Sequence, residues 1–568
     1  MKITPILLAI GLALSSALMP ASLVVGEESA PAVAGAPLSL AIVAPIAVPP
    51  GDEGMLDATT LERYTTPGGV LAAQLGQLGG RPVTLAIDPM ILASIRALGT
   101  SVPKAAHEWL LRLAGLTNSS FALQWADANP ALAIQAGREV LAVPHIRLDA
   151  SLFAAEGTEI AGGESGDPVM PALPSQAELV AWAHSLGPIA WPGDQTLGTD
   201  DLEALAAAGL ESVIVGSSNV TATSSVPHVD LGPVNGIVSD DVVSSLLRST
   251  IAAQTDESWS LAFEALRHAL HDRAAGSAAP VVATLARPAQ SVPQRLSQTL
   301  DALAQLPELR LVPLDRVLEQ PTTGATYTHD DVTDERAATI AQLLSAEEDV
   351  RVFSSALDDP TGLLSSRRAK LLALLSTGWS ADSSLWHSAA EQFLTDCRGI
   401  LGAVTIQDSS TINLLADSGP FPVTVRNDLA HAVTVYVTVR PDRPILRVLD
   451  GRVELKIPAN SQAKAMVPVQ TVANGQVSSI VSLSSVDRTP ISTPVRVALN
   501  VQAGWETTAT VVVIAAIGLM LLAGIWRTVR ARRRLLATAS VATASTTIVH
   551  DTDASSPSDR TNTTGSDS

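Results

Sequence analysis

Residues 508–526, TATVVVIAAIGLMLLAGIW, form an unbroken apolar run without a charge. At 1.5 Å per residue the run spans about 28 Å as a helix, close to the hydrocarbon thickness of a bilayer. A buried soluble helix of that length keeps a polar edge, and this one has none. Trp505 and Trp526 bracket the run as interfacial aromatics do, and Arg527, Arg530, Arg532, Arg533 and Arg534 follow at once. Arginines packed against one end of a span mark its cytoplasmic side. The other terminus agrees. Met1-Lys2 precedes an apolar run from Ile6 to Met19, and Pro20-Ala21-Ser22 supplies small residues for cleavage, the layout of a secretory signal. The expectation is a single-pass protein of the cell membrane: signal over 1–25, span over 507–527, basic stretch and disordered tail over 528–568, with the N-terminus outside and the C-terminus cytoplasmic.

The portion outside is large enough for two or three domains, and apolar residues make up 46% of the chain. Aromatics are only 3%, so the cores must be built from Ala, Val and Leu. A net charge of −20 argues against nucleic acid and against docking on anionic lipid through the ectodomain. Cys397 is the one cysteine, so no intrachain disulfide forms and no cysteine near the N-terminus is available for a lipid anchor.

Residues 36–325 alternate short apolar runs with Ala- and Leu-rich helical stretches. The strands expected are 38–43, 83–88, 121–126, 140–146, 188–192, 212–216, 235–239, 280–286 and 309–314. They show little polar alternation, as strands covered on both faces do. Alternating β and α implies a parallel sheet, and eight or nine units imply a (β/α)-barrel. Residues 156–175 and 320–335 read as a surface loop and a domain boundary. A helical segment is expected over 330–402. From 403 to 503 the chain turns to alternating strands (AVTIQ, FPVTVRN, AVTVYVTVRP, RVELKIP, QAKAMVPVQ, QVSSIVSLSS and TPVRVALNVQ) broken by Asn/Asp/Gly turns. That pattern implies an all-β, immunoglobulin-like sandwich, without the Cys and Trp hallmarks of antibody domains. It runs directly into the span, as a stalk would.

Barrels carry their functional groups at the C-terminal ends of the strands. Those positions hold Asp88, Asp127, Asp194 and Asp240, with Trp125 and Trp191 beside two of them, and His145 with Asp149 at a further strand end. Carboxylates next to tryptophans suit a carbohydrate site, with aromatic faces stacking on sugars and two carboxylates as acid and base within about 10 Å of each other. The same aspartates also suit helix caps and Asp-Pro turns. His268 and His271, three apart on a helix, have zinc-compatible spacing, but helical surface histidines commonly have it too. No P-loop, G-x-G-x-x-G or nucleophile elbow occurs. No cofactor is expected.

The runs INLLADSGPFPVTVRNDLAHAVTVYVTVRP, VPVQTVANGQVSSIVSLSS and TPVRVALNVQAGW, leading into the span and RTVRARRR, resemble the C-terminal half of a family of actinobacterial membrane-anchored envelope proteins of unknown function. LAIVAPIAVPP, LAIDPMIL, WADANP and WPGDQTLG are similar to that family's glycosidase- or deacetylase-like barrel. The resemblance covers roughly 38–534. It implies an envelope role near peptidoglycan-precursor machinery, since the family's genes often neighbour that of a lipid II flippase. It supplies no catalytic residues. Three functions stay open: a non-catalytic binder of glycan or partner, a glycoside hydrolase or polysaccharide deacetylase, and a scaffold subunit of a membrane complex.

Overall fold

The computed structural model describes residues 37–153, 173–222, 224–287, 295–329, 336–381, 383–407, 412–414, 418–501 and 505–536. The expected signal, the loop core around 156–172 and the tail beyond 536 lie outside them. The chain divides into two compact units, 1–354 with 359–400, and 355–358 with 401–568.

In the first unit the strands are β1 (Leu38–Ile46), β2 (Val83–Ile87), β3 (Ser120–Ala122), β4 (Ile189–Ala190), β5 (Ser212–Gly216), β6 (Val220–Ala222), β7 (His228–Asp230), β8 (Asn235–Ser239), β9 (Val281–Thr284), β10 (Leu309–Val312) and β11 (Thr323–Tyr327). Parallel ladders join β4 to β5, β5 to β8, β8 to β9, β9 to β1, β1 to β2 and β2 to β3. β10 pairs in parallel with the first half of β1. No ladder joins β3 to β4, but the N–H groups of Ser185 and Leu186 both donate to the Ser120 carbonyl at 3.1 Å. Seven parallel strands thus run round a barrel-like ring in chain order, bridged at that gap by two backbone bonds. The interior is filled by inward side chains, among them Ala41, Val43, Phe121, Ile214, Ile237 and Val282. Small residues on β1 leave room for Phe121 and Trp191, which is how a core with so few aromatics still closes.

Eight of the nine expected strands form. Residues 140–146 do not. Their backbone is met by a side chain instead: the Gln176 amide accepts from Ile146 N at 2.6 Å and donates to Ile146 O at 2.8 Å. Pro144 removes a further donor that a ladder would need. The supposed boundary at 320–335 contains β11, which pairs with β6 and β7. Its Tyr327 is buried, and the phenol donates to Leu197 O at 2.8 Å.

The helices Ala337–Phe353, Thr361–Leu374 and Ser383–Leu401 occupy most of the expected 330–402 segment, and as far as Ile400 they belong to this first unit. They reach the C-terminal strand ends. Asn129 N donates to Leu375 O at 2.8 Å, and Ala128 bridges Ser376. Cys397 is buried on the last of these helices.

All seven strands expected in the second unit form. β12 (Val404–Ile406), β14 (Ser418–Asn427), β18 (Ser461–Thr471) and β16 (Leu446–Val448) make one sheet; β13 (Ile412–Leu414), β20 (Val495–Val501), β19 (Gly475–Ser484), β15 (Val433–Pro441) and β17 (Val453–Ile457) make the other. Burial alternates along β14 and β18 of the first sheet and along β15 and β19 of the second, so one face of each sheet is buried. The helix Trp505–Leu536 follows. Its stretch Thr510–Arg530 is long and apolar enough to cross a membrane, and none of it is buried. Met520 and Trp526 are 79% and 66% exposed. Residues 502–504, between β20 and the helix, are outside the described set.

Candidate functional site: the strand-end clefts

β2 ends at Ile87, and Asp88 caps the helix Pro89–Ala97 that leaves it. Its Oδ1 accepts from Met90 N at 2.9 Å and from Ala126 N at 3.0 Å. Asp88 is 1% exposed. Burial pushes its carboxyl well above the usual range; the two N–H bonds oppose that shift and the nearby Asp127 adds to it.

After β3 the chain turns sharply. Ala126 and Asp127 both take left-handed backbone angles, φ +55° and +51°, a conformation that costs a non-glycine residue about 1–2 kcal/mol. The turn directs the Ala126 N–H at Asp88 and the Asp127 carboxylate at Arg287. Arg287 Nε donates to Asp127 at 2.8 Å, and its Nη2 donates to Trp191 O at 2.7 Å. Its guanidinium carbon lies 3.6 Å from the Trp191 ring centre. The Thr377 hydroxyl also donates to Asp127. Burial still raises the Asp127 carboxyl, against the Arg287 charge. Asp127 is therefore fully engaged in the core.

Asp194 follows β4 and faces a cleft of about 330 Å³ at the ends of β4, β5, β8 and β9. It pairs with Arg248, whose Nε and Nη2 also bind Thr284 O at 3.0 Å and Thr284 Oγ1 at 2.7 Å. Gln195, in a left-handed conformation with φ +57°, is fixed by Asn219 and Ser218. Ser239, Ser244 and Thr284 form a hydroxyl chain behind it. Asp240 points elsewhere. It caps the helix Asp241–Ala252 through Val243 N, pairs with Arg273 at 2.6 Å, and lines a separate cavity.

The tryptophans are core residues more than stacking surfaces. Trp125 is 2% exposed and donates its indole N–H to Gly54 O at 3.0 Å. Trp191 is 5% exposed, with one face under Arg287, and forms part of the cleft wall. His145, expected at a strand end, is exposed on the strandless 140–146 segment. His268 lies 3.0 Å from Asp272 on an exposed helix face, and among the described residues no group of three or more metal-ligating side chains gathers.

Sequence reasoning passed over Arg248, Arg287 and Thr377. Arg287 had a weak signal, since it lies just after β9. Thr377 had none, because only folding brings the helical segment over the strand ends.

Fold and site together define a mixed α/β unit with polar clefts at its strand ends, a β-sheet unit, and one apolar helix. The chain belongs to a family of unknown function, DUF6049, whose profile matches residues 23–559. No curated protein matches it. Among solved structures it is similar to the alpha-amylase AmyC from Thermotoga maritima, at 10% identity and a TM-score of 0.39, over 64% of this chain and 92% of that one. It is also similar to WR4, a C. elegans MSP family member, at 12% identity and a TM-score of 0.14, over 18% of this chain and 98% of that one. A third likeness is to alpha-2-macroglobulin from E. coli, at 9% identity and a TM-score of 0.15, over 18% of this chain and 7% of that one.

Proposed function

We propose that this chain is an exported, single-pass protein of the bacterial cell envelope whose (β/α)-barrel binds a cell-wall saccharide without cleaving it, carried on an immunoglobulin-like sandwich. The observation that carries the non-catalytic part is that the strand-end carboxylates are either dispersed among cavities or already partnered. Asp88, Asp194 and Asp240 line three different cavities, and Asp127 is committed to Arg287 and Thr377. A glycosidase needs an acid and a second carboxylate facing one substrate across one cleft. The cleft around Asp194 also holds Asp241, but Asp241 Oδ2 accepts from Ser218 N at 2.8 Å and Asp194 is paired with Arg248. Around them lie hydroxyl, amide and guanidinium groups (Ser218, Asn219, Gln195, Ser245, Arg248), a set that matches the alternating donors and acceptors of a polyol. The envelope setting is supported by the apolar helix and the arginines that follow it, and by the resemblance on which the expectation rested.

Full-length protein in detergent, incubated with purified peptidoglycan and with soluble glycans, tests the reading. The expected result is retention on glycan, reduced by Arg248→Met, with no release of reducing ends. Released sugar that disappears in Asp194→Asn or Asp88→Asn overturns it in favour of a hydrolase or deacetylase. Absence of any retention leaves the scaffold reading in its place.

A further inference from the structure

A further cavity, of about 550 Å³, opens at the ends of β1 and β2 beneath the segment 48–57. Asp88 lies at its floor. Both of the backbone N–H bonds to this side chain fall on Oδ1, and Oδ2 has no partner although the residue is 1% exposed. That oxygen is not sealed in the core: it keeps contact with the cavity, where a ligand can meet it. The walls are apolar, with Val48, Pro50, Met55, Leu56 and Met90, whereas the rim carries Asp52, Glu53 and Asp57. The segment that roofs the cavity is fixed in place. Gly54 takes φ +74°, and a Cβ there would sit 2.2 Å from the Ala369 carbonyl, so backbone packs on backbone at that point.

We propose that this cavity is a binding site for an alkylammonium group, a primary amine on an aliphatic stem, with the ammonium on Asp88 Oδ2 and the stem along the apolar walls. The site is distinct from the saccharide cleft and does not depend on it.

The surrounding charges favour this ligand over others. Among the described residues Arg63 is the one cation lining the cavity, and its guanidinium lies over the Tyr64 ring at 4.9 Å. Lys370 is taken by Glu53 at 3.0 Å. Asp57 holds the N-terminus of the helix Ala58–Thr65, and its bonds to Thr60 keep it below the usual carboxylate range, hence ionised. Behind Asp88 the other charges are Asp127 and its partner Arg287. An anion would meet four carboxyl groups. A neutral acceptor would use the Asp88 proton but leave the rim carboxylates without a role. A cation satisfies the floor and the rim together, and it releases the proton that burial holds on Asp88.

Calorimetry on the detergent-solubilised full chain tests the proposal, with Nα-acetyl-lysinamide as ligand and Nα-acetyl-norleucinamide as the isostere lacking the ammonium. The lysine compound should bind and the norleucine compound should not. Titrations in buffers of different ionisation enthalpy should show proton release on binding, and affinity should fall as pH is lowered through the Asp88 titration. Asp88→Asn keeps an oxygen for both N–H groups and is a good helix cap, so it should fold and lose both binding and proton release. Equal binding of the two compounds, undiminished binding by Asp88→Asn, or no binding of the lysine compound at millimolar concentration overturns the assignment.

Discussion

Asp88 and Asp127 are neighbours in the fold, yet burial is resolved differently for each. Asp88 has two N–H donors and no cation, so it remains protonated well above the ordinary carboxylate range. The unfolded chain loses that proton near pH 4. Below that pH both states are protonated, and Asp88 makes no difference to stability. Above it only the unfolded state ionises, so the native state loses ground as pH rises toward the folded pKa. Asp88→Asn removes the titration. Its melting temperature, relative to the parent, should therefore climb as pH rises above about 4, measured by thermal melts across a pH series. Asp127 instead has Arg287, and the two side chains are 6% and 13% exposed. Arg287→Met strands a buried carboxyl, at a cost of about 3–5 kcal/mol at pH 7, read from denaturant unfolding. The loss should shrink as pH is lowered and Asp127 takes up a proton, which its raised pKa favours. The aspartates were visible in the sequence as strand-end residues. Which one is paired was not, because Arg287 and Thr377 are 160 and 250 residues away from Asp127.

At the scale of elements, strand-end aspartates differ in whether they also cap the next helix. Asp240 caps: it accepts from Val243 N at 3.0 Å and pairs with the half-exposed Arg273. Asp240→Ala should cost about 1–2 kcal/mol in denaturant unfolding, most of it from the cap. Asp194 is 63% exposed and caps nothing, so Asp194→Ala should change stability by less than about 1 kcal/mol in the same assay. The contrast separates structural from cleft-facing carboxylates without any knowledge of a ligand. The β-rich second unit was the most legible part of the sequence. Alternation at period two states both strand and buried face, and each of the seven runs carries it. The parallel strands were nearly as legible, except at 140–146. There an apolar, β-branched run satisfies the pattern, while Pro144 and the Gln176 side chain decide against a ladder. The small strand β11 was missed for the opposite reason, since Thr-Gly-Ala-Thr-Tyr looks like a linker until its partners are in place.

For the whole molecule, the apolar helix is the feature with the clearest physical consequence. Its large side chains are exposed throughout Thr510–Arg530, a surface that water does not tolerate and a bilayer does. The full chain should remain in the membrane pellet after alkaline carbonate extraction, whereas a chain ending at Val501 should be found in the soluble fraction. Leu519→Arg with Leu522→Arg should shift the full chain toward the soluble fraction, since each charge costs about 2.5–3.5 kcal/mol in the span. Local composition and periodicity determined that helix, the parallel strands and the alternating sheets, because each depends on residues within a few positions of one another. Only the tertiary structure decided which carboxylates share a cavity. It also brought the 361–401 helices over the strand ends and left one oxygen of Asp88 open. Those outcomes depend on side chains hundreds of residues apart meeting in a space that burial closes to water, and no local pattern encodes such a meeting.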